Sequence, residues 1–326
     1  MLYDKWERKH DYLRISLTDS CNFRCLYCMP NENITFMPQR HLMQQDEIST
    51  IASQFVNLGV SKIRLTGGEP LVRKDARDII KNLSLLPVEL TLTTNGFLVD
   101  QYLTTFKESR INSLNVSLDT LSPDKFLKLT KRDSFKKVWE NIQLLINHNF
   151  SVKLNVVVMN GINDDEILNF VELTKDLPLH VRFIEFMPFD KNQWSSDKVL
   201  PFETMLGQIS ANFDVIKLKD KRHDTAKKFK VIGFEGTFAF ITTMSQPFCN
   251  DCNRMRITAD GKMKNCLFGK DELDLLTALR KKEPIEPIIR RSLFLKHRAL
   301  GGQMQGDFGK LNPELIENRS MIKIGG

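Results

Sequence analysis

The feature that most constrains the fold is an alternation of short apolar, β-branched runs with helix-like segments, repeated at very roughly thirty-residue intervals. The predicted strands lie at 11–18, 61–66, 89–94, 111–118, 151–159 and 180–187, with helical patterns between them such as 45–58, 135–148 and 164–176. Near-continuous apolar strands separated by helices predict an α/β protein with a parallel sheet covered on both faces. Six such units make most of a barrel, although an open doubly wound sheet gives the same pattern.

Unusual residues follow four of these predicted strands. A cysteine loop follows the first strand, "TGGEP" the second, "TTNG" ends the third, and Ser117 and Asp119 end the fourth. In both candidate architectures, ligand sites lie at the carboxyl ends of the strands. This placement predicts a functional site at that edge rather than a purely structural barrel.

Length and composition bound the organisation. The chain has 326 residues, of which 41% are hydrophobic, enough for one large domain at 1–215 and a smaller one at 216–326. The formal net charge is +7, and a basic run at 217–230 is interpreted as a solvated linker. No stretch approaches the roughly 18 to 20 apolar residues of a membrane span, and the charged N-terminus lacks a secretory segment. We therefore expect a cytoplasmic protein without membrane contact.

All six cysteines fall into two groups of three: Cys21, Cys25 and Cys28, then Cys249, Cys252 and Cys266. In a reducing compartment such grouping indicates metal binding rather than disulfides. Asp260 and Gly261 predict a hairpin turn that returns Cys266 to a place opposite Met255, close to the other two cysteines of its group.

A group of three thiolates could hold either zinc or an iron–sulfur cluster. Structural zinc is tetrahedral and needs a fourth ligand, but His10 and His41 are not at ligand spacing from the first group, and no histidine lies within twenty residues of the second. A [4Fe–4S] cluster held by three cysteines keeps one iron open for another molecule. Spacing favours iron–sulfur for the first group and leaves zinc and iron–sulfur open for the second.

The spacing C-x3-C-x2-C, with "GGEP" about forty residues further on, resembles the radical S-adenosylmethionine enzymes. The resemblance implies that the open iron of a [4Fe–4S] cluster chelates S-adenosylmethionine, and that an electron from the cluster yields a 5′-deoxyadenosyl radical.

The second group, spaced C-x2-C-x13-C, the "NRMR" after its CxxC and the terminal Gly-Gly resemble the MoaA family, the GTP 3′,8-cyclases of molybdenum cofactor biosynthesis. This resemblance implies a partial (βα)6 TIM-like barrel with a smaller C-terminal α+β domain that carries a second [4Fe–4S] cluster. It implies conversion of GTP to (8S)-3′,8-cyclo-7,8-dihydroguanosine 5′-triphosphate, the first step of the pathway. It also implies an electron donor such as a flavodoxin, a downstream enzyme that forms cyclic pyranopterin, and a monomer or homodimer.

The resemblance also implies roles for individual residues. S-adenosylmethionine would contact Tyr27, Gly68, Ser117 and Met187, with Gly67 beside them. GTP would contact Arg14, Arg64, Thr93, Lys153, Arg254, Met255 and Arg256, with Lys62 and Arg182 as further cations. Gly325 and Gly326 would form a catalytic tail. The family often has arginine before its first cysteine, where this chain has Ser20, so the local charge there differs.

Strand placement supports the cation assignment independently. Arg64 and Lys153 lie within strands, where a buried cation is costly without an anion. Arg254 and Arg256 alternate, so they point to one face of a strand. Two alternatives remain: a radical enzyme that modifies peptides, and a zinc-stabilised nucleic-acid-binding protein. "NRMR" and the Gly-Gly tail disfavour the first; the lack of a recognition helix or aromatic–basic stripe disfavours the second. We expect no nucleic-acid partner.

Overall fold

Twelve strands form one continuous sheet in the part of the chain that this computed structural model describes, residues 1–29, 35–304 and 306–325. The strands are β1 Tyr12–Ser16, β2 Lys62–Thr66, β3 Glu89–Thr94, β4 Ser113–Ser117, β5 Ser151–Val158, β6 His180–Glu185, β7 Val215–Lys217, β8 Lys227–Val231, β9 Thr237–Ile241, β10 Arg254–Ile257, β11 Lys262–Lys264 and β12 Leu273–Asp274. The helices are α1 Gln45–Asn57, α2 Ala76–Leu83, α3 Val99–Glu108, α4 Pro123–Thr130, α5 Phe135–Asn147, α6 Ile167–Glu172, α7 Phe202–Ser210, α8 Leu275–Arg280, α9 Glu286–Phe294 and α10 Met321–Ile324.

The sheet order is β12-β11-β10-β1-β2-β3-β4-β5-β6-β9-β8-β7. All neighbours from β10 through β1–β6 to β9 pair in parallel, while β11, β12, β7 and β8 pair antiparallel at the two ends. The predicted six βα units and the partial barrel are confirmed. Because the order has two ends, the barrel is open rather than closed.

Each barrel strand alternates between apolar side chains under the helices and polar side chains on the inner face. In β5, Val152, Leu154 and Val156 are buried in the core, whereas Lys153 and Asn155 alternate with them. The helices bury matching stripes: α5 contributes Val138, Ile142 and Leu145 at helical spacing. The period-two pattern therefore separates an outer apolar core from a polar lumen.

The segment after residue 215 adds to both ends of this sheet instead of forming a separate one. β9 pairs with β6, and β10 pairs with β1. The basic run at 217–230 is a linker only in part, because its last residues begin β8. The domain boundary at residue 215 therefore stays a prediction, and strands from both sides of it belong to one continuous sheet.

The predicted hairpin about Asp260 and Gly261 is present, but its register differs by one residue. Arg256 pairs with Lys264, so the same register sets Cys266 across from Arg254 and not from Met255. In the described residues, no helix has the length and apolar character needed to cross a bilayer.

A fully buried carboxylate fixes the loops at the carboxyl end of β6. Glu185 accepts hydrogen bonds from the backbone amides of Phe202 at 3.0 Å, Met244 at 2.7 Å and Ser245 at 2.9 Å. These amides begin α7 and the loop after β9, so one side chain joins three neighbouring segments. Carboxylate acceptors for backbone amides form charge-assisted hydrogen bonds.

We predict that Glu185→Ala lowers the free energy of unfolding by about 3 kcal/mol, because it leaves two buried amides and one partly buried amide without an acceptor. Chemical denaturation of the purified chain measures this change. Glu235→Ala, at an exposed position, is the matched control and should stay within about 0.5 kcal/mol of the parent protein. Equal stability of the two variants would contradict the role given to Glu185.

Candidate functional site

The first cysteine group lies in a loop between β1 and α1 that is fastened to α4. The amides of Arg24 and Leu26 donate to the carbonyls of Thr130 and Leu129, at 2.9 and 3.0 Å. The amide of Cys28 donates to the carbonyl of Cys25 at 3.0 Å, which turns the loop back on itself. Residues 21–28 contain no strand or helix, so these contacts set the positions of the sulfur atoms.

Burial and neighbouring charges make the three thiols of this loop hard to ionise. Burial, followed by the Glu69 carboxylate, raises the pKa of Cys21 to about 11. Burial likewise raises the pKa of Cys25 and Cys28, and each of these two thiols is further affected by Cys21. The three sulfurs therefore lie close enough to repel one another as thiolates. A cationic iron centre would relieve that repulsion, so this donor set fits an iron–sulfur cluster.

Tyr27 connects the cysteine loop to the end of β4. Its hydroxyl donates to Asp119 at 2.8 Å, and Asp119 also accepts the amide of Val157 at 2.8 Å. Burial raises the pKa of Asp119 to about 6, against these two hydrogen bonds. Tyr27 and Ser117 line a small cavity beside Cys25. The tyrosine thus holds the loop against the sheet in addition to any contact with a cofactor.

The two glycines of "TGGEP" permit a close approach between protein segments. A Cβ on Gly68 would lie 2.5 Å from the carbonyl oxygen of Ser20, and one on Gly67 would lie 2.8 Å from that of Thr18. The amide of Gly68 donates to Thr18 at 2.7 Å. The sequence argument attributed the glycines to a ligand. In the structure their nearest neighbours are the backbone that leads into the cysteine loop.

The second cysteine group lines a cavity of about 160 Å³. The amide of Leu300 donates to Cys249 Sγ at 3.4 Å, and Lys296 Nζ donates to Cys252 Sγ at 3.5 Å. Burial opposes ionisation of Cys252, but Arg254 and Lys296 outweigh it and lower its pKa to about 6. Burial raises the pKa of Cys249. A set of thiols with one favoured thiolate suits a soft, cationic metal centre.

Histidine is nearer to this group than sequence separation indicated. His223 Nδ1 lies 2.7 Å from the carbonyl oxygen of Asp251, between Cys249 and Cys252, but its partner is backbone and not sulfur. Across the described ranges 1–29, 35–304 and 306–325, no three His, Cys, Asp or Glu side chains are grouped as ligands of a single metal ion.

The barrel lumen concentrates positive charge. Alternation turns the following cations to the inner face of neighbouring strands: Arg14, Lys62, Arg64, Lys153, Arg182, Arg254 and Arg256. Burial and the nearby Arg182 lower the pKa of Lys153 to about 8. Burial and Arg64 also lower the pKa of Arg182. Cations that lower one another's pKa define a space suited to an anion.

Several lumen atoms have no hydrogen-bond partner among the described residues. They are Arg14 Nε, Arg182 Nε and Nη2, and the side-chain oxygens of Asn115 and Asn155. Buried polar atoms are normally paired, so unpaired ones that face a cavity indicate a ligand. Sequence reasoning missed Asn115 and Asn155. Asn115 lies two residues before Ser117, and Asn155 lies two residues after Lys153, so strand alternation alone places both asparagines on the inner face.

Tyr12 lies inside this positive cluster. The charged groups of Arg14, Lys62 and Arg64 lie 5.7, 5.7 and 6.0 Å from its ring centroid, and Arg64 Nε donates to its hydroxyl. Burial opposes ionisation, yet Arg14 and Arg64 prevail and lower the pKa of Tyr12 to about 7. The tyrosine therefore partly neutralises the lumen near neutral pH.

The C-terminal tail enters the mouth of the barrel. The carbonyl oxygen of Gly325 accepts Arg256 Nη1 at 2.8 Å, and a Cβ at Gly325 would lie 2.7 Å from Ser16 Cβ and 2.8 Å from Thr66 Oγ1. Its φ of 86° also favours glycine. The other tail residue, Gly326, lies outside the described residues.

The structure gathers most of the predicted GTP-site residues. Arg14, Thr93, Arg254 and Arg256 line the cavity of the second cysteine group, as does Met187. Arg64 joins them through Thr93, whose Oγ1 accepts Arg64 Nη1 at 3.4 Å, and Lys153 lies on the same inner face. Met255 differs: its side chain is fully buried in the outer apolar core and does not line the cavity.

Comparisons with known proteins agree with this geometry. The profile of the Radical SAM superfamily matches residues 15–174, and that of Molybdenum Cofactor Synthesis C matches 179–300. The chain is 46% identical to "GTP 3′,8-cyclase, mitochondrial" of Arabidopsis thaliana, over 100% of this chain and 84% of that one. It is 39% identical to "GTP 3′,8-cyclase" of Moorella thermoacetica, over the full length of both.

The chain belongs to the GTP 3′,8-cyclase family of radical SAM proteins. Other members of this family are longer: "Molybdenum cofactor biosynthesis protein 1" of Mus musculus is 46% identical over 99% of this chain, which spans only 51% of that protein. Streptococcus suis SuiB has a similar structure, with a TM-score of 0.60 over 87% of this chain and 68% of that chain. At 14% identity, the likeness to SuiB concerns the fold alone.

We predict that Tyr12 titrates with a midpoint near pH 7, far below the ordinary 10.0. Because the folded-state pKa is the lower one, ionisation stabilises the fold fully above pH 10 and the gain is lost as pH falls through 7. Ultraviolet difference titration should show one tyrosinate transition near neutrality that is absent from Tyr12→Phe. Identical titrations of both proteins would contradict the assignment.

Proposed function

We propose that this chain is a GTP 3′,8-cyclase that uses S-adenosylmethionine and two [4Fe–4S] clusters, in the first step of molybdenum cofactor biosynthesis. The observation that carries the proposal is a single cavity lined by both the second cysteine group and lumen arginines, of which Arg14 and Arg182 have donors with no partner among the described residues. A nucleoside triphosphate has a base to present to the cysteines and phosphates to present to the cations. The names of the relatives supply the reaction.

In this proposal Cys21, Cys25 and Cys28 hold the first cluster, and Cys249, Cys252 and Cys266 hold the second. When bound, the first cluster would give one electron to S-adenosylmethionine, whose C–S bond cleavage would supply a 5′-deoxyadenosyl radical for removal of hydrogen from ribose C3′. Closure of the bond between C3′ and guanine C8 would then take one further electron, from an external reductant, and one proton. The protein's own contribution is to bind, orient and enclose the reactants.

The cofactor pocket is assigned to the carboxyl end of the barrel. Tyr27 and Ser117 line the small cavity beside Cys25, Met187 lines the larger cavity of the second cysteine group, and Gly68 lies against the backbone of Ser20; the proposal assigns the cofactor to the region that these residues share. Ser117 is the next inward-facing residue after Asn115 on β4, and it pairs with Asn155 on β5. A nucleotide ribose held between the cofactor and the phosphate-binding cations would therefore face these side chains.

The triphosphate is assigned to the cations of the lumen. Arginine suits phosphate oxygens because its donors form a fixed fork. Arg14 and Arg182 have free donors, and Lys153 would regain a higher pKa beside phosphate. Thr93 supplies a hydroxyl between them. Met255 could contribute only through its backbone, since its side chain lies in the outer core.

The tail is assigned to the reacting region. Gly325 occupies the mouth between β1 and β2 and takes one donor of Arg256. A glycine there lets backbone approach the substrate closely and helps to exclude water. A soluble reductant such as a flavodoxin, a downstream pyranopterin-forming enzyme and a cytoplasmic location complete the proposal.

Cys266→Ser should lower the iron content of anaerobically purified protein from about eight to about four per chain, because one cluster loses a ligand. Reductive cleavage of S-adenosylmethionine should remain, whereas turnover of GTP should be lost. Iron assay, 5′-deoxyadenosine release and nucleotide chromatography measure the three results.

Cys21→Ser is the matched control: it should also lose about four irons but abolish cleavage of S-adenosylmethionine. Normal GTP turnover by Cys266→Ser would contradict the role of the second group. Parent protein with about four irons would contradict the second cluster itself.

Arg182→Met should weaken GTP binding by about 1.5–3 kcal/mol, or about 10- to 100-fold in Kd, through loss of a charge-assisted bond. Two of its donors have no protein partner in the described residues, so the change leaves the fold intact. Calorimetry under anaerobic conditions measures Kd, and Arg290→Met, on the exposed side of α9, is the control. An unchanged Kd would remove Arg182 from the site.

A further inference from the structure

The first ten residues form a folded strap against the segment that carries the second cysteine group. Tyr3 and Lys9 form an antiparallel bridge, and the amide of His10 donates to the carbonyl of Leu2 at 2.9 Å. Leu2 is buried, and Trp6 Nε1 donates to the carbonyl of Lys296 at 3.0 Å. The strap therefore packs on the chain just after α9.

A buried carboxylate organises this strap. Asp4 accepts the amides of Trp6 at 2.9 Å and Arg8 at 3.1 Å, and it also accepts Arg8 Nε at 2.7 Å. His10 Nε2 lies 3.0 Å from Asp4 Oδ2, the same oxygen that accepts Arg8 Nε. Four interactions around one carboxylate leave the Arg8 guanidinium little freedom.

The two Nη atoms of that guanidinium connect the segment at Cys249 to the segment at 297–298, both next to the second cysteine group. Nη1 donates to the carbonyls of Cys249 at 2.8 Å and Arg298 at 2.7 Å, and Nη2 donates to that of His297 at 3.0 Å. Only a planar fork of donors reaches three carbonyls and a carboxylate together.

Both joined segments lack strand or helix at these positions, so no backbone ladder holds them. They nevertheless set the surroundings of two sulfurs. The amide of Leu300 donates to Cys249 Sγ, and Lys296, which donates to Cys252 Sγ, also donates to the carbonyl of Arg254 at 3.0 Å. Movement of either segment therefore changes the spacing of Cys249 and Cys252.

We propose that Arg8, held by Asp4, is a positioning residue for the second cysteine group: it fixes Cys249 and the 296–300 segment at the spacing that a bound cluster requires. This inference rests on the proposed second cluster. It assigns the N-terminal strap to cluster retention, in a part of the chain distant in sequence from all three cysteines.

The test compares Arg8→Met with a chemically matched arginine elsewhere. Arg73 pairs with Asp75 and donates to the carbonyls of Leu17 at 2.7 Å and Met43 at 2.8 Å, away from the second group. Arg73→Met therefore removes the same kind of buried network without touching Cys249. Both full-length variants are purified anaerobically, and thermal unfolding checks that each is folded.

We expect Arg8→Met to retain about four irons per chain in place of about eight. Its reduced form should lose the electron paramagnetic resonance signal that Cys266→Ser also loses, while cleavage of S-adenosylmethionine persists. Arg8→Lys should give an intermediate loss, because a lysine restores charge but not the fork. Arg73→Met should keep the second-cluster signal.

Full iron content and an unaltered second-cluster signal in Arg8→Met overturn the inference while the proposed function stands. Loss of both clusters in a folded Arg8→Met protein also overturns it, because the effect would not be specific. About four irons in the parent protein overturn the proposed function together with the inference. Should Arg8→Met not fold, the same measurements are made on Arg8→Lys. An unaltered second-cluster signal in this variant, or loss of both clusters, overturns the inference in the same way.

Discussion

The repulsion among cations inside the barrel is the constraint on which the rest of the site depends. Parallel pairing sets Arg14 beside Arg64, and Arg182 beside Asn155, so alternation on each strand brings positive side chains to one space. Their burial costs free energy because no carboxylate among the described residues forms an ion pair with Arg14, Arg64 or Arg182. Tyr12 relieves part of this cost by ionising readily. A bound polyanion relieves more, which couples ligand binding to the stability of the barrel.

The two cysteine groups differ in their electrostatic surroundings. Near the first, Asp119 and Glu69 add negative charge to thiols that burial already keeps protonated. Near the second, Arg254 and Lys296 favour the thiolate of Cys252. In the first loop, the positive charge that stabilises the thiolates must therefore come from the metal centre itself. In the second group, part of that positive charge comes from the protein's own cations. Such differences in charge and hydrogen bonding are what set the potentials of iron–sulfur centres.

Sequence periodicity was sufficient for the fold because strands and helices each have a fixed repeat. It located the six central strands and supported four of the inward cations, Arg64, Lys153, Arg254 and Arg256, while the family resemblance supplied Arg14, Lys62 and Arg182. The cysteine spacing located both groups. Periodicity did not predict that β9 and β10 extend the parallel sheet, since pairing partners across the chain leave no local signal. The family resemblance, and not periodicity, placed Met255 in the site, although strand alternation turns that side chain outward. The contacts of Arg8 and His223 depend on loops that meet only in three dimensions.

The strap and the described part of the tail both contact the segment between Cys249 and Arg256. The strap reaches the second cysteine group from outside through Arg8, and the tail reaches the lumen from inside through Arg256. β10, which carries Arg256 and follows Cys252, pairs with β1, the strand that follows the strap. Contacts of such large sequence separation carry a larger loop-closure entropy than the pairing of β1 with β2. The surroundings of the second cysteine group therefore depend on long-range contacts on both sides, Arg8 outside the barrel and Gly325 within it, and these contacts stabilise the group only when the barrel strands between them are paired.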